Sequence, residues 1–182
     1  MRPKSWVARR SDAVLVVIDL QEKLVPHIAG AGGVLDRTAR LVRVARTLGV
    51  PVVWTEQRNL GETVDPVRSE LQGMEPVRKL AFGCFGDGAF RRRLDATGRN
   101  TLILAGIEAH ICVAQTALQG LAEYDVHVVA DAVGSRDPVN RDVALARLRA
   151  AGVVVTTWEM VVYELLERAG TDEFRAVLPL VK

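Results

Sequence analysis

The sequence has few cysteines and no excess of either charge. Two cysteines in 182 residues cannot form a disulfide framework, so we expect free thiols and a cytoplasmic protein. Lysine and arginine (24) nearly balance aspartate and glutamate (22), so no nucleic-acid surface is predicted. No apolar run approaches the roughly 20 residues of a membrane-spanning helix, and the basic first residues have no apolar signal core. We therefore expect a protein that binds neither membrane nor nucleic acid.

Apolar runs alternate with helical patterns along the chain. Runs rich in β-branched residues, typical of buried parallel strands, occupy residues 13–19, 51–55, 101–105, 126–130 and 153–156. Apolar residues at helical spacing follow most of these runs. The alternation predicts an α/β fold, with a parallel sheet covered by helices on both faces, in a single domain over residues 1–182.

Reactive side chains follow three of the predicted extended segments. Asp19 ends the first strand, Lys79 ends a short extended piece, and Cys112 begins the helix that follows the strand at residues 101–105. Ligands bind at the carboxyl edge of such sheets, and a helix N-terminus favours the reactive thiolate. The residues thus favour Cys112 as a nucleophile, with Asp19 as its base and Lys79 as a supporting cation. The open alternatives are that Asp19 caps a turn and that Lys79 lies on the surface.

Two further side chains have ordinary explanations. We expect Cys84 to be a small buried hydrophobe. His110 could act as the base, but residues two apart at a helix start face different directions, so we expect it at the site entrance or in an oligomer contact.

Four segments together resemble a known family. They are residues 16–21 (VVIDLQ), 79–85 (KLAFGCF), 104–113 (LAGIEAHICV) and 128–136 (VVADAVGSR). In content and order they are similar to the isochorismatase-like cysteine hydrolases. The resemblance extends roughly from residue 13 to residue 165, and it implies a three-layer α/β/α sandwich with a mostly parallel, doubly wound central sheet.

The resemblance also implies a site. It gives an Asp–Lys–Cys triad, here Asp19, Lys79 and Cys112, that needs no cofactor. It further implies a cis peptide bond between Ile107 and Glu108, which turns the Glu108 N–H towards the substrate oxygen. Together with the N–H of Cys112, this group would form an oxyanion hole.

The stretch after the second strand departs from the metal-binding nicotinamidases of that family. Those enzymes have an Asp-x-His there, whereas residues 55–59 read TEQRN, and the three histidines are far apart in sequence. We therefore predict no metal site and a closer likeness to the isochorismatase domain-containing branch. The candidate substrate-pocket residues are Gln21, Glu56, Gln57, Phe82 and Phe85.

These patterns predict a cysteine hydrolase that acts on a small amide or related carbonyl substrate through a Cys112 thioester. One alternative is a vinyl-ether hydrolase of isochorismatase type, whose reaction needs no thiol attack. The other is a catalytically inactive binding or scaffold protein on the same fold. Because the family commonly assembles as dimers or larger, the resemblance also implies a homo-oligomer.

Overall fold

The computed structural model describes residues 5–181, and its centre is a six-stranded, all-parallel sheet. The strands are β1 (Ala13–Ile18), β2 (Val52–Gln57), β3 (Val77–Lys79), β4 (Thr101–Ile107), β5 (Asp125–Gly134) and β6 (Val154–Thr156). Their order across the sheet is β3-β2-β1-β4-β5-β6, so the chain winds outwards in both directions from β1 and β4. The prediction of an α/β fold with a parallel, doubly wound sheet is confirmed.

Helices cover both faces of this sheet. One layer contains α1 (Ala31–Thr47), α2 (Val67–Glu70), α6 (Trp158–Leu166) and α7 (Asp172–Val181). The other contains α3 (Gly88–Asp95), α4 (Ala114–Gly120) and α5 (Pro138–Ala150). In the part of the chain that the structure describes, none of the helices has the length and apolar character needed to cross a bilayer.

The central strand β1 shows why the core has two halves. Its side chains alternate, so Leu15 and Val17 pack against the layer of α1, while Val14, Val16 and Ile18 pack against the layer of α4. All five are at most 2% exposed. Burying each such side chain stabilises the fold by about 1.5–3 kcal/mol, which is why the strand is apolar on both faces.

Three elements extend beyond their predicted bounds. Strand β2 continues to Gln57 because it pairs with the edge strand β3. Strand β5 continues to Gly134 because β4 shifts register between Leu104 and Gly106, which keeps the two strands paired. At the end of the chain the sequence predicts only a turn at residues 174–178, whereas the structure has the ten-residue helix α7, anchored by the fully buried Val177.

Candidate active site

The side chains of Asp19, Lys79 and Cys112 meet at the carboxyl edge of the central strands. Lys79 Nζ lies 2.6 Å from Asp19 Oδ2 and 3.9 Å from Cys112 Sγ. Asp19 and Lys79 have no exposed surface, and Cys112 is 6% exposed. The strand order brings the three residues together, because β3, β2, β1 and β4 are neighbours in the sheet although they are distant along the chain.

Lys79 is held by several oxygen atoms around its ammonium group. Besides Asp19, it donates to Gln57 Oε1 at 2.8 Å and to the carbonyls of Ala81 and Phe82, both at 3.2 Å. Burial opposes the charge on this lysine, but the Asp19 carboxylate outweighs that cost and holds the pKa of Lys79 above its ordinary value. Lys79 is therefore a fixed cation beside the thiol at neutral pH.

Asp19 is held through both its backbone and its side chain by Thr55. The N–H of Asp19 donates to the Thr55 carbonyl at 3.2 Å, and the Thr55 hydroxyl donates to Asp19 Oδ1 at 2.7 Å. The backbone of Asp19 is left-handed, with φ of 52°, a conformation that aspartate tolerates better than most residues. The sequence analysis missed Thr55, although its position at the end of the second predicted strand was a signal.

Gly106 allows β1 and β4 to approach closely just before Asp19. It is paired with Ile18 in the sheet, and its φ is 121°. A Cβ atom at this position would lie 2.1 Å from the Ile18 carbonyl oxygen. Only glycine is compatible with both the backbone conformation and this contact.

Cys112 lies in a π-helical turn, Ala109–Val113, that precedes α4. Burial, followed by the negative charge of Asp19, raises the pKa of its thiol to about 12. The expectation that a helix N-terminus favours the thiolate is therefore wrong for the free protein. The thiol is not at the first turn of a regular α-helix, and loss of solvation together with a nearby carboxylate dominates. Cys112 is a neutral thiol at pH 7.

The residue before this turn, Glu108, presents its backbone and its side chain to different partners. The peptide bond between Ile107 and Glu108 is cis. The carboxylate is 5% exposed and accepts from Arg136, through Nε at 3.0 Å and the backbone N–H at 2.9 Å. Among residues 5–181, no group accepts a hydrogen bond from the Glu108 N–H. This amide is therefore available to a ligand.

The ring of His110 contacts Ser135 and Glu108 rather than the Cys112 thiol. Its Nδ1 lies 2.9 Å from Ser135 Oγ and 3.9 Å from Glu108 Oε2. The ring is 24% exposed, so it lies at the protein surface. These contacts do not support a role for His110 as the base of Cys112.

Cys84 is a second thiol in the same cluster. It is fully buried, and its N–H donates at 3.0 Å to the hydroxyl of Thr116, which in turn donates at 2.6 Å to the Cys112 carbonyl. Burial, with the charge of Asp19, raises the pKa of the Cys84 thiol to about 11. Cys84 is thus buried as expected, but it lies beside the triad rather than in a remote part of the core.

Two of the five predicted pocket residues, Gln21 and Gln57, form a chain of hydrogen bonds that leads to Lys79. Gln21 is fully buried, donates to the carbonyls of Gln57 and Gly61, and accepts from the Gln57 N–H at 2.8 Å. Gln57 itself accepts from Lys79 and donates to the Leu80 carbonyl at 2.7 Å. Their side-chain polar atoms are already hydrogen-bonded within the protein, so both residues position neighbouring groups, and Gln57 also lines a cavity of about 450 Å³ that the triad does not line.

The other three predicted pocket residues lie in different surroundings. Glu56 is on the opposite face of β2, where it accepts from Thr63 and lines a cavity of about 490 Å³ that the triad does not line. Phe85 is a core residue packed edge-on against Phe90, with 5.2 Å between ring centroids. The assignment of Glu56 and Phe85 to the substrate pocket is therefore wrong. Phe82 is 58% exposed and its carbonyl accepts from Lys79 Nζ at 3.2 Å, and a substrate contact of its ring stays a prediction.

Residues 5–181 contain no group of three or more His, Cys, Asp or Glu side chains arranged to hold a metal ion. The arrangement that the structure offers is a buried thiol, a carboxylate and an ammonium group, with a free backbone N–H nearby.

Comparison with known proteins identifies the family. The isochorismatase domain model matches residues 13–160. Mouse isochorismatase domain-containing protein 2A is 37% identical over 93% of this chain and 82% of its own. The MAR1 ribonuclease of Caenorhabditis elegans is 32% identical with a TM-score of 0.90, covering 96% of this chain and 92% of its own. YcaC of Pseudomonas aeruginosa, solved with hexane-2,5-diol and covalent acrylamide, is 27% identical with a TM-score of 0.88, covering 96% and 91%. The chain belongs to the isochorismatase family.

Proposed function

We propose that this protein is a cysteine hydrolase that acts on a small amide or related carbonyl substrate. Family membership supports a hydrolase in general. The observation that carries the finer proposal is the cluster of Asp19, Lys79 and Cys112, in which one buried ammonium group contacts both the carboxylate and the thiol. This combination of nucleophile, base and cation suits attack on a carbonyl carbon.

In the first step the thiol of Cys112 attacks while Asp19 removes its proton. Because the pKa of the thiol is raised to about 12, a preformed thiolate is scarce at neutral pH, and a base must act during the attack. Asp19 and this thiol contact the same ammonium group, that of Lys79, and the charge of Asp19 acts on the pKa of the thiol. Transfer of the proton to the carboxylate leaves a neutral carboxyl group beside Lys79.

Backbone N–H groups stabilise the resulting oxyanion. The free N–H of Glu108, together with that of Cys112, supplies two donors next to the attacked carbonyl. Donors of this kind are already oriented before the reaction, so they stabilise developing charge without reorganisation.

The tetrahedral intermediate then breaks down. Asp19 returns its proton to the leaving amine or ammonia, the C–N bond breaks, and Cys112 remains as a thioester. Water, deprotonated by the same carboxylate, attacks the thioester and releases the acid and the free thiol. Lys79 balances the negative charge on Asp19 whenever that carboxylate is ionised, through the contact of 2.6 Å between them.

A relative supplies support for the nucleophile. P. aeruginosa YcaC was solved with covalent acrylamide, and acrylamide is an electrophile that thiols attack. The same reactivity in this chain is part of our proposal.

The test is to trap the acyl enzyme. Wild type, Cys112→Ala and Cys84→Ala are incubated with a panel of small amides, and intact mass is measured after rapid acid quenching. We expect an acyl adduct that maps to Cys112, present in Cys84→Ala and absent from Cys112→Ala.

Three other outcomes would overturn the proposal. Amide turnover that survives in Cys112→Ala would exclude the thioester route, and turnover of an added vinyl ether in that variant would instead indicate vinyl-ether chemistry. The absence of turnover and adduct on every amide would favour a scaffold role. Cleavage of a single-stranded RNA, included because of the name of the C. elegans relative, would replace the small-molecule substrate.

We further propose that the chain is a single domain that forms a homo-oligomer in the cytoplasm. Large apolar side chains are exposed at Leu80, Phe82, Val139 and Val143, which supports self-association. The free, buried thiols support a reducing compartment. Light scattering coupled to gel filtration tests the assembly, and a monomer at micromolar concentration would contradict it.

A further inference from the structure

The hydroxyl of Thr55 has no role in packing. Thr55 is 1% exposed on β2, and Val53, which faces the same side of the strand, is an ordinary apolar core residue. Valine has nearly the shape of threonine, so packing alone does not require a hydroxyl here. A buried hydroxyl costs free energy unless it is hydrogen-bonded, and this one is bonded to Asp19 at 2.7 Å.

The two oxygens of Asp19 have separate donors. Lys79 Nζ is 2.6 Å from Oδ2, whereas the Thr55 hydroxyl is on Oδ1. Thr55 also accepts the Asp19 N–H through its own carbonyl at 3.2 Å. The residue therefore fixes both the backbone and the rotation of the carboxylate, while Lys79 supplies the charge.

We propose that Thr55 is a positioning residue, whose hydroxyl holds the Asp19 carboxylate in one orientation beside Cys112. This inference rests on the proposed function, in which Asp19 takes the thiol proton. The bond from the hydroxyl to Oδ1 limits the carboxylate to one rotation about its Cβ–Cγ axis, while Lys79 holds Oδ2.

The other groups around Asp19 do not duplicate this role. The titratable groups that face it are Lys79 at the end of β3, Cys84 in the turn before α3, and Cys112 in the turn before α4. The two thiols are neutral donors at pH 7, and Lys79 is already engaged with Oδ2. Thr55 is thus the neutral donor that is fixed to Oδ1 by a rigid strand.

The experiment measures the rate at which acrylamide alkylates Cys112, between pH 5 and pH 9, by peptide mass spectrometry. The variants are Thr55→Val, which keeps the shape, Thr55→Ala, which removes hydroxyl and methyl, and Thr55→Ser, which keeps the hydroxyl. Thr38→Val is the matched control, because Thr38 is also fully buried but its hydroxyl, on α1, has no partner among the described residues. Asp19→Asn reports whether the carboxylate acts as the base.

Thr55→Val and Thr55→Ala are expected to slow alkylation at pH 7 by roughly tenfold to a hundredfold, the effect of one hydrogen bond to a charged group. Thr55→Ser should return to within a few-fold of wild type, and Thr38→Val should match wild type. A merely structural role would lower thermal stability, but folded Thr55→Val would then keep the wild-type rate of alkylation.

The possible failures are distinguishable. If Asp19→Asn hydrolyses an amide from the panel as fast as wild type, the proposed function fails and the role of Thr55 fails with it. If that variant hydrolyses the amide slowly but folded Thr55→Val and Thr55→Ala keep the wild-type rate of alkylation, only the inference about Thr55 is overturned. Failure of Thr55→Ser to recover the rate would also overturn it, because the hydroxyl would then not be the group that matters.

Discussion

Cys112 and Cys84 are two thiols in one buried cluster, and they differ in access rather than in acidity. Burial and the charge of Asp19 raise the pKa of both, to about 12 and about 11. Cys84 is fully enclosed, whereas Cys112 retains 6% exposure and follows the free N–H of Glu108. In this site a lowered thiol pKa cannot identify the nucleophile. Solvent access and the preceding Glu108 N–H, which has no acceptor among the described residues, separate Cys112 from Cys84.

Removing each thiol in turn is the strongest test of the difference between Cys112 and Cys84. Cys112→Ala is expected to lower kcat/KM by roughly 10³-fold or more, because no other group there can form the thioester. Cys84→Ala should stay within a few-fold of wild type. Steady-state kinetics on an amide found in the panel, with circular dichroism as the folding control, measures both. Equal losses of kcat/KM in the two variants would mean that activity depends on the buried cluster as a whole rather than on the Cys112 thiol.

The charged pair beside both thiols gives the next largest effect. Lys79→Met leaves the Asp19 carboxylate buried without its cation, and should lower the free energy of unfolding by about 3–5 kcal/mol. The double variant Asp19→Asn/Lys79→Met removes both charges and should lose much less than the sum of the two single variants. Urea denaturation measures this coupling. Simple additivity would show that the pair contributes nothing to the fold.

The rate of alkylation by iodoacetamide, measured at several pH values, tests the access and the ionisation of the two thiols. Because the pKa of the Cys112 thiol is about 12, we expect its modification by direct thiolate attack above pH 9 to rise about tenfold per pH unit, with no plateau below pH 10.5. Cys84 should stay unmodified in the folded protein. Peptide mapping by mass spectrometry separates the two sites. A plateau near pH 7 would mean that Cys112 is already a thiolate.

The smallest effect is on stability at high pH. A thiol ionises near pH 9 in the unfolded chain, but only near pH 11–12 in the folded one. The unfolded state therefore binds fewer protons above pH 9, and stability falls as pH rises, by about 1.4 kcal/mol per pH unit for each thiol. Cys84→Ala should lose stability less steeply than wild type between pH 9 and pH 10.5. Parallel slopes in chemical denaturation would contradict this.

The sequence predicted the parts of the site that depend on strand ends. Asp19 ends an apolar run and Lys79 ends a short extended segment, and the carboxyl edge of a parallel sheet brings such positions together, as in the structure. Thr55 was missed because its contact with Asp19 depends on which strand lies beside β1, and strand order cannot be predicted from a local sequence pattern. Glu56 was misassigned for a related reason. It precedes Gln57 in sequence, but alternation places the two side chains on opposite faces of β2.

The protonation state of Cys112 could not be predicted from its position at the start of a helix. The sequence indicates where a helix begins, but the cost of desolvation depends on everything packed around the sulfur atom. Here that includes a carboxylate delivered from another strand. The π-helical turn at Ala109–Val113 is likewise a tertiary outcome, since the residues there are compatible with a regular helix.

The close contact between Gly106 and Ile18 has a consequence for how the protein tolerates mutation. No side chain can enter position 106 without pushing β1 away from β4, and Asp19 is the next residue along β1. In a library of all single substitutions, position 106 should therefore be as intolerant as a reactive residue, although it carries no functional group. Assays of activity alone would assign it to the chemistry. Only a parallel measurement of folded protein abundance would reveal it as a spacer between two strands.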